Sequence, residues 1–276
     1  MTRILFLGDI FGKPGRRLVA RRLPAVMAAL GADMALANGE NASGGLGLNP
    51  KNARELLGTG LAALSGGNHT FKFPDFHDYL DQEPRLIRPA NYPSPCPGKG
   101  WTVVETKSGV RVGLGNVMGR LLMGGFLECP FRAADELLRQ MAEAGAAVTI
   151  IDFHAEATSE KLALGRHLDG RLGALVGTHT HVQTNDAQLM PGGLAYVTDL
   201  GLTGSHAGVI GMETKGPLEV FMSGRPPRYK PAKGNLVMEG AVVDFDDEGR
   251  ATGIGCYRQA DDDSGVGAEV EEDDGE

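Results

Sequence analysis

The chain has 276 residues, of which 42% are hydrophobic and 22% are charged, so a packed core is expected and general disorder is excluded. The net charge of −8 is concentrated at one end, because residues 261 to 276 contain nine acidic and no basic residues, against 26 acidic and 27 basic residues in the rest. This near-neutral body argues against a large face for sequence-independent binding of nucleic acids, although nucleotides remain allowed as substrates.

The cysteines and the apolar runs bear on the cellular compartment. Cys96, Cys129 and Cys256 are far apart and form no CxxC motif, so neither a thiolate zinc site nor a disulfide framework is indicated. The apolar run at residues 4–7 is too short for the core of a signal peptide, and no run reaches the length of a membrane span. We therefore expect a cytoplasmic protein.

The first part of the chain predicts alternating strands and helices. Short apolar runs followed by glycine or polar residues predict strands at 4–7, 34–37 and 61–64. Helical spacing predicts a helix that opens at Lys13 and ends at Gly31, and Asn49-Pro50 is a typical helix start. The arginines of the first helix are predicted to form its solvated face. The resulting βαβαβ order favours a largely parallel sheet.

The middle and end of the chain mix hairpins with further strands and helices. Helices are predicted at 75–80, 131–144 and 158–168. Single strands are predicted at 85–90, 147–151, 172–176, 193–198 and 218–222. Hairpins are predicted for 101–106 with 110–115, and for 236–244 with 251–258. We expect a single domain over residues 1–260, followed by an acidic, disordered tail at 261–276.

Polar residues with metal-binding chemistry follow several of the predicted strands. In open α/β sheets ligand sites form at the carboxyl ends of strands. The residues at these positions are Asp9, Glu40, Asn41, Asn68, His69, His154, His179 and His181. Carboxylate, amide oxygen and imidazole together suit manganese or iron, with zinc allowed. Seven ligands besides His69 exceed the needs of one ion but suffice for two ions bridged by one carboxylate. Capping by Asp9 and a plain polar loop at 177–181 are the structural alternatives.

The order of these blocks resembles the calcineurin-like metallophosphoesterase superfamily, and specifically its YmdB-type bacterial branch. The blocks are Gly-Asp at 8–9, Gly-Glu-Asn at 39–41, Gly-Asn-His at 67–69, the lone His154, and Gly-Thr-His-Thr-His at 177–181. The resemblance covers residues 4 to 211. It implies an α/β fold of the metallophosphoesterase type, a sandwich of two mixed β-sheets flanked by α-helices in four layers.

The resemblance also implies a ligand set. The first metal would take Asp9, Glu40, Asn41 and His181, and the second would take Glu40, Asn68, His154 and His179. Glu40 would bridge the two ions, and His69 would be the catalytic residue that donates a proton to the leaving oxygen. Phe11 stands where the superfamily places a histidine ligand, which puts the strength of the first site in doubt.

The implied activity is that of a phosphodiesterase acting on cyclic nucleotides, with 2′,3′-cyclic forms favoured. Attack would come in line from a hydroxide that bridges the two metals. The alternatives are a phosphomonoesterase or 5′-nucleotidase with the same centre, and a metal- or nucleotide-binding regulatory protein with little turnover. His77 and His167 are predicted on helix surfaces, and His206 is kept as a candidate substrate contact. A small phosphoester is the expected partner, and homo-oligomerisation stays open.

Overall fold

Two β-sheets pack face to face between two layers of helices in the computed structural model, which describes residues 1–225 and 229–261. The four-layer α/β sandwich predicted from the sequence is confirmed. Within these residues no helix combines the length and the apolar character needed to cross a bilayer.

The elements alternate along most of the chain. The strands are β1 (Thr2–Leu7), β2 (Asp9–Ile10), β3 (Met34–Asn38), β4 (Ala63–Ser65), β5 (Trp101–Glu105), β6 (Arg111–Met118), β7 (Val148–His154), β8 (Ala174–Thr178), β9 (Gln188–Leu189), β10 (Ala195–Val197), β11 (Leu202–Ser205), β12 (Leu236–Phe245) and β13 (Ala251–Ala260). The helices are α1 (Gly12–Leu30), α2 (Pro50–Gly58), α3 (Pro74–Gln82), α4 (Pro130–Glu143), α5 (Thr158–Leu168) and α6 (Lys215–Ser223).

Both sheets are mixed. The first has the order β2-β11-β12-β1-β3-β4, with β13 also paired to β12, and its strands β1, β3 and β4 run parallel. The second has the order β5-β6-β7-β8-β10-β9, in which β6, β7, β8 and β10 run parallel. The hairpins β5–β6 and β12–β13 are antiparallel, as predicted.

Alternation along β1 shows how the layers form. Leu5 and Leu7 pack against α1, α2 and α3, whereas Ile4 and Phe6 point into the space between the sheets. Since successive strand residues face opposite sides, a continuous apolar strand can serve two cores at once. A third core lies between the second sheet and helices α4 and α5. This stacking brings the carboxyl ends of β1, β3, β4, β7 and β8 to one region.

Two predicted strands are wrong. Residues 218–222 belong to α6, where Leu218, Phe221 and Met222 are exposed. Four apolar residues in a five-residue segment cannot distinguish strand from helix by periodicity, and Pro217 in the first turn fits a helix start. Residues 85–90 make only isolated bridges, Leu64 to Leu86 and Ile87 to Lys99, in place of a strand.

The arginine-rich face of α1 is less solvated than predicted. Arg16 is buried and donates to Glu55 and to the carbonyl oxygen of Ala42. Arg21 and Arg22 form ion pairs with Asp261, whose side chain is 2% exposed. The first residue of the predicted tail is therefore held against α1, and residues 262–276 lie outside the described part of the chain.

Gly8, directly before Asp9, lies in close contact with the backbone of Gly201. A Cβ at Gly8 would lie 2.1 Å from the carbonyl oxygen of Gly201, so we expect Gly8→Ala to destabilise the fold by about 1–3 kcal/mol through overpacking. At Gly255, in β13, a Cβ would meet none of the described atoms within 4 Å, which makes Gly255→Ala a matched control. Thermal unfolding of the two variants measures the difference, and equal melting temperatures would contradict the expected crowding.

Candidate metal centre

The buried carboxylate of Glu40 occupies the middle of the predicted site. It follows β3, and the Glu40 backbone N–H donates to Asn38 Oδ1, 3.0 Å away. Glu40 Oε1 lies 3.2 Å from His154 Nε2, 3.2 Å from His69 Nδ1 and 3.1 Å from Asn41 Nδ2. Glu40 Oε2 accepts from the backbone N–H of His69 at 2.9 Å. One side chain thus contacts donors from several different strand ends.

Three side chains with potential metal-ligand atoms lie on one side of Glu40. His154 Nε2 lies 2.9 Å from Asn68 Oδ1 and 3.1 Å from His179 Nδ1. Ligand atoms of Glu40, His154 and His179 all lie within 4.8 Å of one another, close enough to hold one ion. This arrangement brings together the four residues predicted for the second metal.

The residues predicted for the first metal gather on the other side. His181 Nε2 lies 3.6 Å from Asp9 Oδ1 and 3.0 Å from Asn41 Nδ2, and Asn41 Nδ2 lies 3.4 Å from Asp9 Oδ1. The Asn41 amide presents its nitrogen to this group and its oxygen to His69 Nδ1, at 2.8 Å. A half-turn of the planar amide exchanges the two atoms, and ligation by the oxygen requires that turn.

A buried hydrogen-bond chain sets the tautomer of His154. The Thr178 hydroxyl donates to Asp152 Oδ1 at 2.7 Å, so its oxygen is left to accept from His154 Nδ1, 2.9 Å away. Asp152 Oδ2 also accepts from Ser65 and Asn38, and burial raises the pKa of Asp152 to about 6. With its proton on Nδ1, His154 presents the lone pair of Nε2 to the site.

The two histidines of the 177–181 block use opposite ring nitrogens. His181 Nδ1 donates to the carbonyl oxygen of Ile210 at 2.9 Å, so Nε2 faces Asp9. His179 Nε2 lies 3.2 Å from Glu156 Oε2, so Nδ1 faces His154. Histidines held this way present one oriented ring nitrogen each, which can ligate a metal once its proton is displaced. Glu156, Asp152 and Thr178 were not predicted as site residues, although all three lie inside or beside the blocks that contain His154 and His179.

The backbone of both histidines is strained. His179 has φ 105° and His181 has φ 61°, a left-handed region that non-glycine residues rarely adopt. Such conformations cost about 1–3 kcal/mol each and persist only where surrounding contacts hold them. One such contact is the His179 backbone N–H, which donates to Asp9 Oδ2 at 3.1 Å. Strain of this kind is typical of residues kept for a function.

Charge pairing dominates the electrostatics of the site. Burial acts to raise the pKa of Glu40, but His154 and His69 outweigh it and hold the pKa well below its usual range. Burial likewise opposes ionisation of Asp9, yet His181 lowers the pKa of this carboxyl. In return, although burial acts to lower it, Asp9 raises the pKa of His181 to about 9. Burial and the nearby His154 lower the pKa of His179 to about 4. The two carboxylates therefore stabilise positive charge at His154 and His181, but not at His179.

Phe11 forms an apolar wall beside the site. It is buried with Leu202 and Met212, and its ring meets His181 edge-on at a centroid distance of 5.4 Å. A Cβ at Gly45 would lie 2.6 Å from the Phe11 ring, so the glycine-rich loop can pack closely over it. The position therefore supports His181 by packing and contributes no ligand atom.

The remaining histidines lie apart from the donor cluster. His77 lies near the carbonyl oxygen of Phe71, and His167 pairs with Asp135 on the surface. His206 Nε2 lies 3.2 Å from the carbonyl oxygen of Leu202 and lines an open cavity of about 230 Å³ that also reaches His181. Its role as a substrate contact remains a prediction.

The fold and the comparisons with known proteins together define a phosphoester hydrolase. A family model described as YmdB-like protein matches residues 5–256, and the chain belongs to this family. The resemblance inferred from the sequence is thereby confirmed.

Three relatives show how far the likeness extends. The 2′,3′-cyclic-nucleotide 2′-phosphodiesterase of Bacillus subtilis (strain 168) is 43% identical over 246 residues, covering 89% of this chain and 92% of the relative. A crystal structure of a hypothetical protein from Thermus thermophilus has a TM-score of 0.87 at 39% identity and covers 94% of this chain and 99% of its own. One described as a novel phosphatase, from Mycoplasma pneumoniae, has a TM-score of 0.86 at 28% identity, with coverages of 94% and 93%.

The paired charges predict a pH dependence for the metal-free protein. The pKa of His181 is about 9 in the folded state against 6.5 as the reference, so its stabilising contribution is complete below pH 6.5 and is lost as pH rises through 9. We expect the free energy of unfolding in chelator to fall over this window, by at most ~1.4 kcal/mol per pH unit for this proton. The titration of His179, whose pKa is lowered to about 4, changes the free energy of unfolding only below pH 6.5. It therefore does not contribute to the slope between pH 6.5 and 9.

Denaturant titrations at several pH values measure this slope. His181→Asn should reduce it without abolishing it, because Glu40 also raises the pKa of the buried His154, against the opposing effect of burial. An unchanged slope in His181→Asn would show that the pairing with Asp9 does not stabilise the metal-free fold.

Proposed function

We propose that this protein is a binuclear-metal-dependent phosphodiesterase that acts on cyclic nucleotides, with 2′,3′-cyclic forms favoured. The observation that carries the proposal is the position of Glu40, whose carboxylate lies between two groups of donors. One group contains Asp9 and His181, and the other contains His154 and His179. A single carboxylate shared by two donor groups is the arrangement that a two-metal centre needs.

The donor chemistry fits divalent transition metals. Oxygen atoms come from Asp9, Glu40, Asn41 and Asn68, and imidazole nitrogens come from His154, His179 and His181. This mixture suits manganese or iron, and zinc is also accommodated. Ions bound in such a pair activate water for attack on phosphorus and neutralise phosphate oxygens.

The protein's own groups hold the ligands in place before any ion arrives. Thr178 and Asp152 fix the tautomer of His154, Ile210 fixes that of His181, and Glu156 orients His179. Because these partners lie behind the ligand atoms, the ligating nitrogens point toward the two proposed metal positions. Preorganisation of this kind reduces the reorganisation that binding and catalysis require.

His69 is the proposed proton donor to the leaving group. Its side chain is 31% exposed, and its Nδ1 contacts Asn41 Oδ1 and Glu40 Oε1. Nε2 is therefore the ring atom left to face a substrate. A proton donated from Nε2 would neutralise the leaving oxygen as the bond to phosphorus breaks.

The substrate class rests on the relatives. The Bacillus subtilis relative is named for 2′,3′-cyclic nucleotides, and its likeness covers 89% of this chain. Phosphomonoesters are the second candidate, because the Mycoplasma pneumoniae structure is described as that of a phosphatase. We place the reaction in the cytoplasm as part of this proposal, since all three cysteines are free.

Metal analysis with a substrate panel tests the proposal. Purified protein loaded with manganese should hold close to two ions per chain and hydrolyse 2′,3′-cyclic nucleotides faster than nucleoside monophosphates. One ion or none per chain would overturn the binuclear centre. Turnover of monoesters without diesters would replace the phosphodiesterase assignment with the phosphomonoesterase one.

A substitution isolates the role of His69. His69→Ala should lower turnover of 2′,3′-cyclic nucleotides by about 10²–10⁴-fold while both metals remain bound. Turnover of bis-p-nitrophenyl phosphate should fall much less, because its leaving group needs little help from an acid. His77→Ala, which changes a histidine outside the donor cluster, is the control. Loss of metal in His69→Ala would mean that His69 is a ligand and not an acid.

A further inference from the structure

A buried ion pair lies directly behind the loop that carries His179 and His181. Lys161 comes from α5, and Asp199 follows β10. Their side chains are each 1% exposed, and Lys161 Nζ lies 2.8 Å from Asp199 Oδ2. Neither residue is a metal ligand or a proton donor in the proposed reaction.

The pair binds the peptide groups on both sides of His179. Lys161 Nζ donates to the carbonyl oxygen of Thr178 at 2.8 Å. The backbone N–H of Thr180 donates to Asp199 Oδ2 at 3.1 Å. His179, with φ 105°, lies between these two fixed points. The contacts therefore restrain the strained residue from its preceding and its following peptide.

Asp199 also forms hydrogen bonds with residues before and after it in the chain. Its Oδ1 accepts from the backbone N–H of Gly201 at 2.9 Å, and its own N–H donates to Thr184 Oγ1 at 2.9 Å. The Leu200 N–H also donates to the carbonyl oxygen of Gly177 at 2.8 Å. The loops that leave β8 and β10 are thus joined into one unit, with the ion pair at its centre.

Packing alone does not explain charges at this place. Burying two ions carries a desolvation cost, and apolar side chains of similar volume often replace a buried ion pair without loss of stability. Apolar side chains, however, could bind neither the Thr178 carbonyl nor the Thr180 N–H. The specific contribution of Lys161 and Asp199 is therefore directional hydrogen bonding to the ligand loop.

We propose that Lys161 and Asp199 are positioning residues that hold His179 in its left-handed conformation and so set the affinity for the ion bound by Glu40, Asn68, His154 and His179. The restraint keeps His179 Nδ1 aimed at His154 Nε2. The proposal concerning affinity rests on the proposed metal centre. The proposal concerning loop geometry does not depend on a bound metal and can be tested in the metal-free protein.

The test compares Lys161→Met with Leu164→Ala, a cavity-forming change at a fully buried position of the same helix. In chelator, hydrogen exchange of the Thr180 amide should be faster in Lys161→Met and unchanged in Leu164→Ala. Titration with manganese should show the tighter of the two affinities, which we assign to the cluster of Glu40, His154 and His179, reduced about 10–100-fold in Lys161→Met only. Thermal unfolding of both variants records the general loss of stability.

The outcomes separate this proposal from the proposed function. Wild-type exchange at Thr180 and wild-type affinity in Lys161→Met would overturn the positioning role, as would an equal loss of affinity in Leu164→Ala. Wild-type protein that binds no manganese would overturn the metal centre, while exchange at Thr180 would still decide the geometric claim. If Lys161→Met does not fold, the double variant Lys161→Met with Asp199→Leu leaves no buried charge unpaired and should show the same faster exchange.

Discussion

The rest of the site depends on the contacts of the Glu40 carboxylate. It is buried, it remains ionised because histidines surround it, and it contacts donors from three different parts of the chain. A buried anion without partners would be unfavourable by several kcal/mol. The histidines therefore stabilise the anion in the metal-free state, and the anion in turn keeps the histidines gathered where cations would bind.

The central features of the fold followed from the sequence because local pattern and tertiary context agree there. Residues 4–7 and 34–37 are continuously apolar since each strand faces a core on both sides, and they were predicted as strands for that reason. The prediction was wrong where the apolar segment was too short to distinguish a strand from a helix. Residues 218–222 lie on an exposed helix, and nothing in a segment of four apolar residues and one glutamate separates that from an edge strand.

The candidate site divides in the same way. Residues at or directly after strand ends, such as His154 and Asp9, could be predicted because strand ends are recognisable in the sequence and the order of the blocks resembled a known family. Asp152 could not be singled out, because a carboxylate inside an apolar strand has no signature until Thr178 and Ser65 are seen to contact it. The Lys161–Asp199 pair was equally invisible, since its partners are backbone groups 17 and 19 residues away.

The donors are divided between the two layers of the sandwich. Asp9, Glu40 and Asn68 follow strands of the first sheet, whereas His154 and His179 lie at the ends of strands of the second. An ion held by both sets acts as a non-covalent staple across the interface, and its binding energy adds to the cohesion of the whole molecule. Since these residues span much of the chain, the staple can close only after both sheets have formed and met. In the proposed centre, metal loading would therefore report that both sheets have assembled.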